Sequence, residues 1–169
     1  DLCFAPLKHA RLDYVVQKAV EMGTARLRPV LTRRTQVARL NLERMRANVI
    51  EAAEQCGVLR VPQVEAETTF ERMVVQWPDD RLLIFCDEDA DNADPVEALR
   101  AARDKGPQAV GLLIGPEGGF DEKERALALS APHVLRISLG PRILRADTAA
   151  VAGMALVQSV FGDWAGSIR

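Results

Sequence analysis

The chain has 169 residues, is 48% hydrophobic and carries a formal net charge of −2, which suits one domain able to bury a full core. No run is long or apolar enough to span a membrane, and no secretory leader is visible. Cys3, Cys56 and Cys86 form no CxxC pair and are odd in number, which argues against a zinc site or disulfide framework and for buried thiols in a reducing cytoplasm. Charge is unevenly spread: residues 1–60 hold 11 Lys+Arg against 6 Asp+Glu (+5), and the remainder holds 11 against 18 (−7). Eighteen of the 22 basic residues are Arg, whose planar fork of donors suits phosphate. That basic half is compatible with a polyanion partner and, equally, with a solvated surface of mixed charge.

Leu2-Cys3-Phe4-Ala5 reads as a first strand. Leu12, Val15, Val16, Ala19 and Val20 follow helical spacing, with Gly23 as the C′ residue. Arg26 to Leu31 alternates like a strand, and Thr32-Arg33-Arg34-Thr35 follows as a basic loop. Asn41 caps a helix with an apolar face of Leu42, Met45, Val49, Ala53 and Cys56, ended by Gly57. Val61 to Val64 is a short extended piece, and Thr68-x-x-Glu71 starts a small helix. Leu82 to Cys86 is a buried strand, followed by an acidic loop from Asp87 to Asp94. Asp94-Pro95 supplies an N-cap and N1 pair for a helix to about Lys105. Ala109 to Ile114 is a strand, Asp121 to Ser130 a helix and Val134 to Leu139 a strand. The last helix, from about Thr148 to Phe161, is apolar nearly all round, which predicts burial on more than one side, within the chain or in a dimer. The alternation predicts an α/β fold with a mainly parallel sheet flanked by helices.

Two stretches share one plan. In Leu112-Leu113-Ile114-Gly115-Pro116-Glu117-Gly118-Gly119-Phe120 a buried strand is broken by Gly-Pro, and two glycines then let the backbone approach a ligand closely. Asp121 to Glu124 fits a capping box. In Ile137-Ser138-Leu139-Gly140-Pro141-Arg142-Ile143-Leu144-Arg145-Ala146-Asp147-Thr148 the same turn recurs, with Asp147 or Thr148 as cap. Two Gly-rich loops at the carboxyl ends of strands are where open α/β sheets hold ligands. Ordinary strand–turn–helix joints are the competing reading. Arg142 and Arg145 in apolar surroundings, and Glu117 between glycines, weigh against it.

Several sites are absent: no P-loop, no GxGxxG, no HExxH and no GxSxG. The acidic loop begins like an EF-hand but has Asn92 at the turn glycine and Ala98 at the final glutamate, so it reads as a solvated loop. His9 and His133 read as structural. What remains is a Gly-rich pocket without metal ligands, suited to chemistry that a cofactor brings with it.

Gly115 to Phe120 and Leu139 to Ala149 resemble the signatures of the ribosomal RNA small subunit methyltransferase E family. Arg11-x-Asp13, Gln17-Lys18-Ala19 and Glu51-Ala52-Ala53-Glu54-Gln55 extend the resemblance over essentially the whole chain. It implies a knotted SPOUT methyltransferase domain over residues 1–169, with a C-terminal trefoil knot. It implies S-adenosylmethionine-dependent methylation of ring nitrogen 3 of a uridine in small-subunit (16S) ribosomal RNA, free or in the assembled small subunit. It further implies a cytoplasmic homodimer, formed through the C-terminal helix, with no membrane partner and no metal. Carried over by position, Leu113, Gly115, Gly118, Ile137, Leu139 and Leu144 are expected at the cofactor. Glu117 is expected to act as, or position, the general base, with Arg145 stabilising charge on the uracil oxygens. A structural carboxylate binding loop amides is the competing role for Glu117. Arg33, Arg34, Arg39, Arg60 and Arg142 are the expected RNA contacts. The family's N-terminal β-barrel RNA-binding domain is absent from this chain, Val58 stands where the pattern commonly has Arg, and Asp147 where it often has Glu. A knotted methyltransferase acting on another RNA (tRNA, or ribose 2′-O) and a non-catalytic RNA-binding module with a relic pocket are the alternatives.

Overall fold

The computed structural model describes residues 1–37, 39–91, 94–106 and 109–165. The acidic loop's Asn92 and Ala93, and the His9 side chain, lie outside the described residues. The elements are β1 (Leu2–Phe4), α1 (His9–Glu21), β2 (Arg26–Leu31), α2 (Leu42–Cys56), β3 (Gln63–Val64), β4 (Thr68–Thr69) and α3 (Phe70–Val75). They continue with β5 (Arg81–Cys86), α4 (Pro95–Arg103), β6 (Ala109–Ile114), α5 (Glu122–Ser130), β7 (Val134–Ile137) and α6 (Ala146–Phe161), then a short 3-10 turn at Asp163–Ala165. The sheet runs β3-β2-β1-β6-β5-β7, with β4 also on β2, and its pairings are parallel.

Both faces of this sheet are covered, as parallel sheets require. Alternate strand residues point to opposite faces. Leu2, Phe4, Ile84, Leu112 and Ile114 join one core with α1, α2, Leu99 of α4 and α6. Cys3, Leu83, Phe85 and Leu113 join the other, with Phe70 and Met73 of α3, Trp77, Phe120 and Ala128 of α5. A full burial of such a side chain contributes about 1.5–3 kcal/mol, so the continuous apolar strands carry the fold. Gly153 brings α6 close to β6, because a Cβ there would stand 2.9 Å from the Leu112 side chain.

Capping follows the sequence in three places. The Asn41 side chain accepts from the Arg44 N–H, Asp94 accepts from the Val96 and Glu97 N–H groups, and Asp121 and Glu124 form the full capping box. Five expectations are corrected. The cap of α3 is Thr69, one residue after Thr68, because Thr68 is held extended against Val30 in the ladder. β7 ends at Ile137, and Leu139 already belongs to the following loop. α6 starts at Ala146, with Arg145 at the N-cap and no side-chain cap. Ala146 is buried in the main core, so packing starts the helix ahead of Asp147 and Thr148. Cys56 is exposed, unlike the buried Cys3 and Cys86. Gly57 ends α2 in the left-handed conformation, the Val58 N–H bonds back to the Ala53 carbonyl, and Val58 packs on the core in place of Cys56. Finally, the acidic loop is not wholly solvated, since Asp87 is only 2% exposed.

Among the described residues, no helix is long and apolar enough to cross a membrane.

Candidate functional site

Three neighbouring strands, β6, β5 and β7, end together, and the loops after them enclose a cavity of about 290 Å³. Its walls are residues 86–88 at the end of β5, 114–120 at the end of β6, and 138–140 and 142–144 after β7, with Ala146 and Ala149 of α6 closing the side. This is the carboxyl-end crevice expected of an open parallel sheet.

The loop after β6 is shaped by what its glycines admit. Gly115 makes room for the Phe120 ring, which a Cβ would meet at 2.6 Å. Phe120 then turns under the loop and packs against Phe85 (4.8 Å between centroids) and Phe70 (5.5 Å). Gly119 has φ 68°, and a Cβ there would run into the Glu88 carboxylate. The Gly119 N–H donates to the Pro116 carbonyl at 2.9 Å, closing the turn. In the loop after β7, Ser138 Oγ donates to the Gly140 carbonyl (3.2 Å) and accepts from the Gly140 N–H (3.3 Å), and Leu139 packs against the main core.

The β5 wall rests on a buried charge. Asp87 Oδ2 accepts from Arg136 Nε (2.9 Å) and Nη2 (2.8 Å), and both its oxygens accept from Arg125 Nε (3.1 Å). Arg125 Nη2 also reaches Glu88 (3.0 Å) and Asp89 (2.8 Å). Burial opposes the Arg125 charge, but Asp87, with Asp89 and Glu88, more than offsets it and raises the guanidinium pKa. These three carboxylates are therefore engaged by arginine rather than arranged around a cation site. Cys86 lines the cavity, yet burial and then the neighbouring Asp87 charge push its thiol far up, so it offers no thiolate nucleophile. Burial pushes the Cys3 thiol up to about 11.

Of the residues expected at the cofactor, Gly115, Gly118, Leu139 and Leu144 line the cavity. Leu113 and Ile137 are fully buried in β6 and β7, one in each core, behind its lining. Glu117 and Arg142 also line it. Arg145 stands just outside, exposed at the start of α6. Glu117 is at the mouth, with Arg11 Nη1 3.7 Å away, and Arg11 Nε lies 3.9 Å from Asp147. Arg11 thus sits between the loop after β6 and the first turn of α6, a placement that its Arg-x-Asp motif alone did not reveal.

The expected RNA contacts are all exposed. Arg33 and Arg34 abut the β6 loop: Arg34 Nη1 donates to the Gly118 carbonyl (2.6 Å), and Arg33 Nε lies 3.2 Å from Asp121. Arg39 borders a separate depression with Lys8 and Arg44. Arg60 follows the end of α2. Sequence reasoning missed Asp87, Glu88 and Arg125 as parts of the wall. The one available signal was an acidic residue directly after the apolar run of β5.

The family model described as RNA methyltransferase domain matches residues 1–158. A ribosomal RNA small subunit methyltransferase E from Rickettsia conorii is 31% identical over 157 residues, covering 93% of this chain and 63% of that relative. The crystal structure of a ribosomal RNA small subunit methyltransferase E from Neisseria gonorrhoeae, bound to S-adenosyl methionine, superposes with a TM-score of 0.82 at 31% identity, over 96% of this chain and 66% of that one. A putative methyltransferase from Legionella pneumophila, in complex with the bound cofactor SAM, gives 0.77 at 29% identity, over 94% and 66%. The chain thus spans just under two thirds of these relatives. The parallel α/β fold, the family model and these relatives agree with the resemblance carried by the two loop motifs: the chain belongs to the RNA methyltransferase domain family.

Proposed function

We propose that this domain methylates ring nitrogen 3 of a uridine in small-subunit (16S) ribosomal RNA, using S-adenosylmethionine. The observation that carries the reading is the cavity where the loops after β6, β5 and β7 converge, in a chain similar to a methyltransferase solved with that cofactor. The cavity suits such a ligand. Ile114, Leu139, Leu144, Ala146 and Ala149 offer apolar surface to an adenine ring, and Gly115 and Gly118 add backbone to the lining without side chains of their own. Glu88 and Glu117 place carboxylates on the lining, complementary to a cationic sulfonium and ammonium. When bound, S-adenosylmethionine supplies an electrophilic methyl group.

The chain's own residues then have two tasks. Glu117 at the mouth accepts the uridine imide proton or orients the base, with Arg11 beside its carboxylate to hold it in place. Arg145, and Arg142 on the lining, set positive charge where the uracil oxygens become electron-rich. Among the described residues the recorded partner of the Glu117 carboxylate is Arg11 rather than a loop amide, which favours the chemical role over the structural one. A homodimer through α6 is part of the same proposal. Val151, Ala152 and Ala155 are half-buried apolar residues along α6 that belong to neither core cluster. So are a trefoil knot, a cytoplasmic location and the assembled small subunit as substrate.

The test is nucleoside mass spectrometry on unmodified small-subunit RNA and small subunits incubated with the protein and S-adenosylmethionine. The reading requires N3-methyluridine, with Glu117→Gln lowering turnover at least about 100-fold while cofactor affinity stays within twofold. A 2′-O-methylated product would instead select the alternative RNA methyltransferase. Cofactor binding without any product would select the relic module.

A further inference from the structure

We propose that Arg34 is a positioning residue that bridges the pocket loop to RNA phosphate, so that polyanion binding and cofactor binding strengthen each other through one guanidinium. The proposal rests on reading the cavity as the cofactor site. Residues 32–35 form a closed turn: the Thr32 N–H donates to Thr35 Oγ1 (2.9 Å) and the Thr35 N–H to the Thr32 carbonyl (3.1 Å). That turn is fastened to the start of α5. The Arg33 N–H donates to Glu124 Oε1 (2.8 Å), and Glu124 is only 2% exposed, with its other oxygen accepting from the Asp121 N–H. Arg34 therefore leaves a fixed backbone. Its aliphatic stem crosses the open face of Gly118, where a Cβ would lie 3.4 Å from Arg34 Cδ, and its Nη1 holds the Gly118 carbonyl at 2.6 Å.

One N–H of the guanidinium is spent on Gly118, and the group is exposed. Arginine carries five donors in one plane, so the rest of the fork remains available to a phosphate. A guanidinium already held in place loses less freedom when it binds phosphate. Phosphate in turn fixes the donor that shapes the loop. The coupling is reciprocal: whatever factor RNA adds to cofactor affinity, the cofactor adds to RNA affinity. Lysine at this position keeps the charge and the stem but lacks the planar fork that reaches both acceptors.

The experiment is calorimetric titration of S-adenosylhomocysteine, with and without saturating short oligouridylate at low salt, on the wild type, Arg34→Ala and Arg34→Lys. In the wild type the oligouridylate should tighten S-adenosylhomocysteine binding about fivefold, at the lower end of ordinary coupling. Both variants should bind S-adenosylhomocysteine with no such enhancement, and Arg34→Lys should keep oligouridylate affinity within about threefold of wild type. Melting temperatures should not move, since the side chain is exposed. Wild-type affinity indifferent to oligouridylate, absence of oligouridylate binding, or undiminished coupling in Arg34→Ala would each overturn the proposal and leave the pocket reading standing. Absence of S-adenosylhomocysteine binding to the wild type would overturn both.

Discussion

Residues 115–121 and 138–145 each follow a parallel strand, turn at Gly-Pro and lead into a helix, yet their supports differ. The first loop has Phe120 driven between Phe70 and Phe85, Gly118 held by Arg34, and its exit fixed by the Asp121–Glu124 box. The second is tied through Ser138 to its own Gly140, carries Ile143 at 89% exposure, and enters α6 without a side-chain cap. Similar sequence punctuation thus produces one wall pinned by side chains distant in sequence and one with an exposed crest at Ile143. Anchoring comes from residues distant in sequence, and a ligand that must enter and leave needs both a fixed template and an open side.

The largest way to break this contrast is to attack what stands behind the anchored side. Asp87→Ala leaves Arg125 and Arg136 without their buried partner and should cost about 3 kcal/mol of stability in urea unfolding. A loss under about 1 kcal/mol would mean that this network is ornamental. Gly115→Ala comes next, because its Cβ collides with the Phe120 ring. It should cost about 2 kcal/mol and weaken S-adenosylhomocysteine binding together with stability. Asp121→Asn is a subtler probe. The N–H of Glu124 bonded to its side chain, with Arg33 nearby, holds the Asp121 carboxyl below its usual 3.8. A lowered folded-state value contributes stability that is present above 3.8 and lost as pH falls through the lower value, so wild type should melt above Asp121→Asn near neutrality and converge with it below pH 3.8. At the exposed crest, Ile143→Ser should leave stability within about 0.5 kcal/mol in the same unfolding assay. A larger loss would show that this crest is anchored too.

Local rules made much of this legible. The Asn41, Asp94 and Asp121 caps and the Gly57 stop all depend on neighbours within a few residues, and they lie where the pattern put them. The convergence of two Gly-rich loops followed from parallel strands ending on one edge. What the sequence hid was decided at long range. Asp87 reads as one acid among several until Arg125 and Arg136 arrive from two other elements. Arg34 reads as a free phosphate contact until Gly118 takes one of its donors. The start of α6 is set by the burial of Ala146 rather than by the polar residues after it. Leu113 and Ile137 send their side chains into the two cores, which leaves only their backbone groups for the expected contact with the cofactor.

We propose that the cavity at the ends of β6, β5 and β7 holds the methyl donor. Calorimetric titration with S-adenosylhomocysteine, on the wild type and on Leu144→Arg, tests it most directly. Saturable binding at about one site per chain, abolished when arginine fills the cavity, is the predicted result. A folded wild type that takes up no S-adenosylhomocysteine, or a Leu144→Arg variant that binds it as tightly as wild type, would contradict the account.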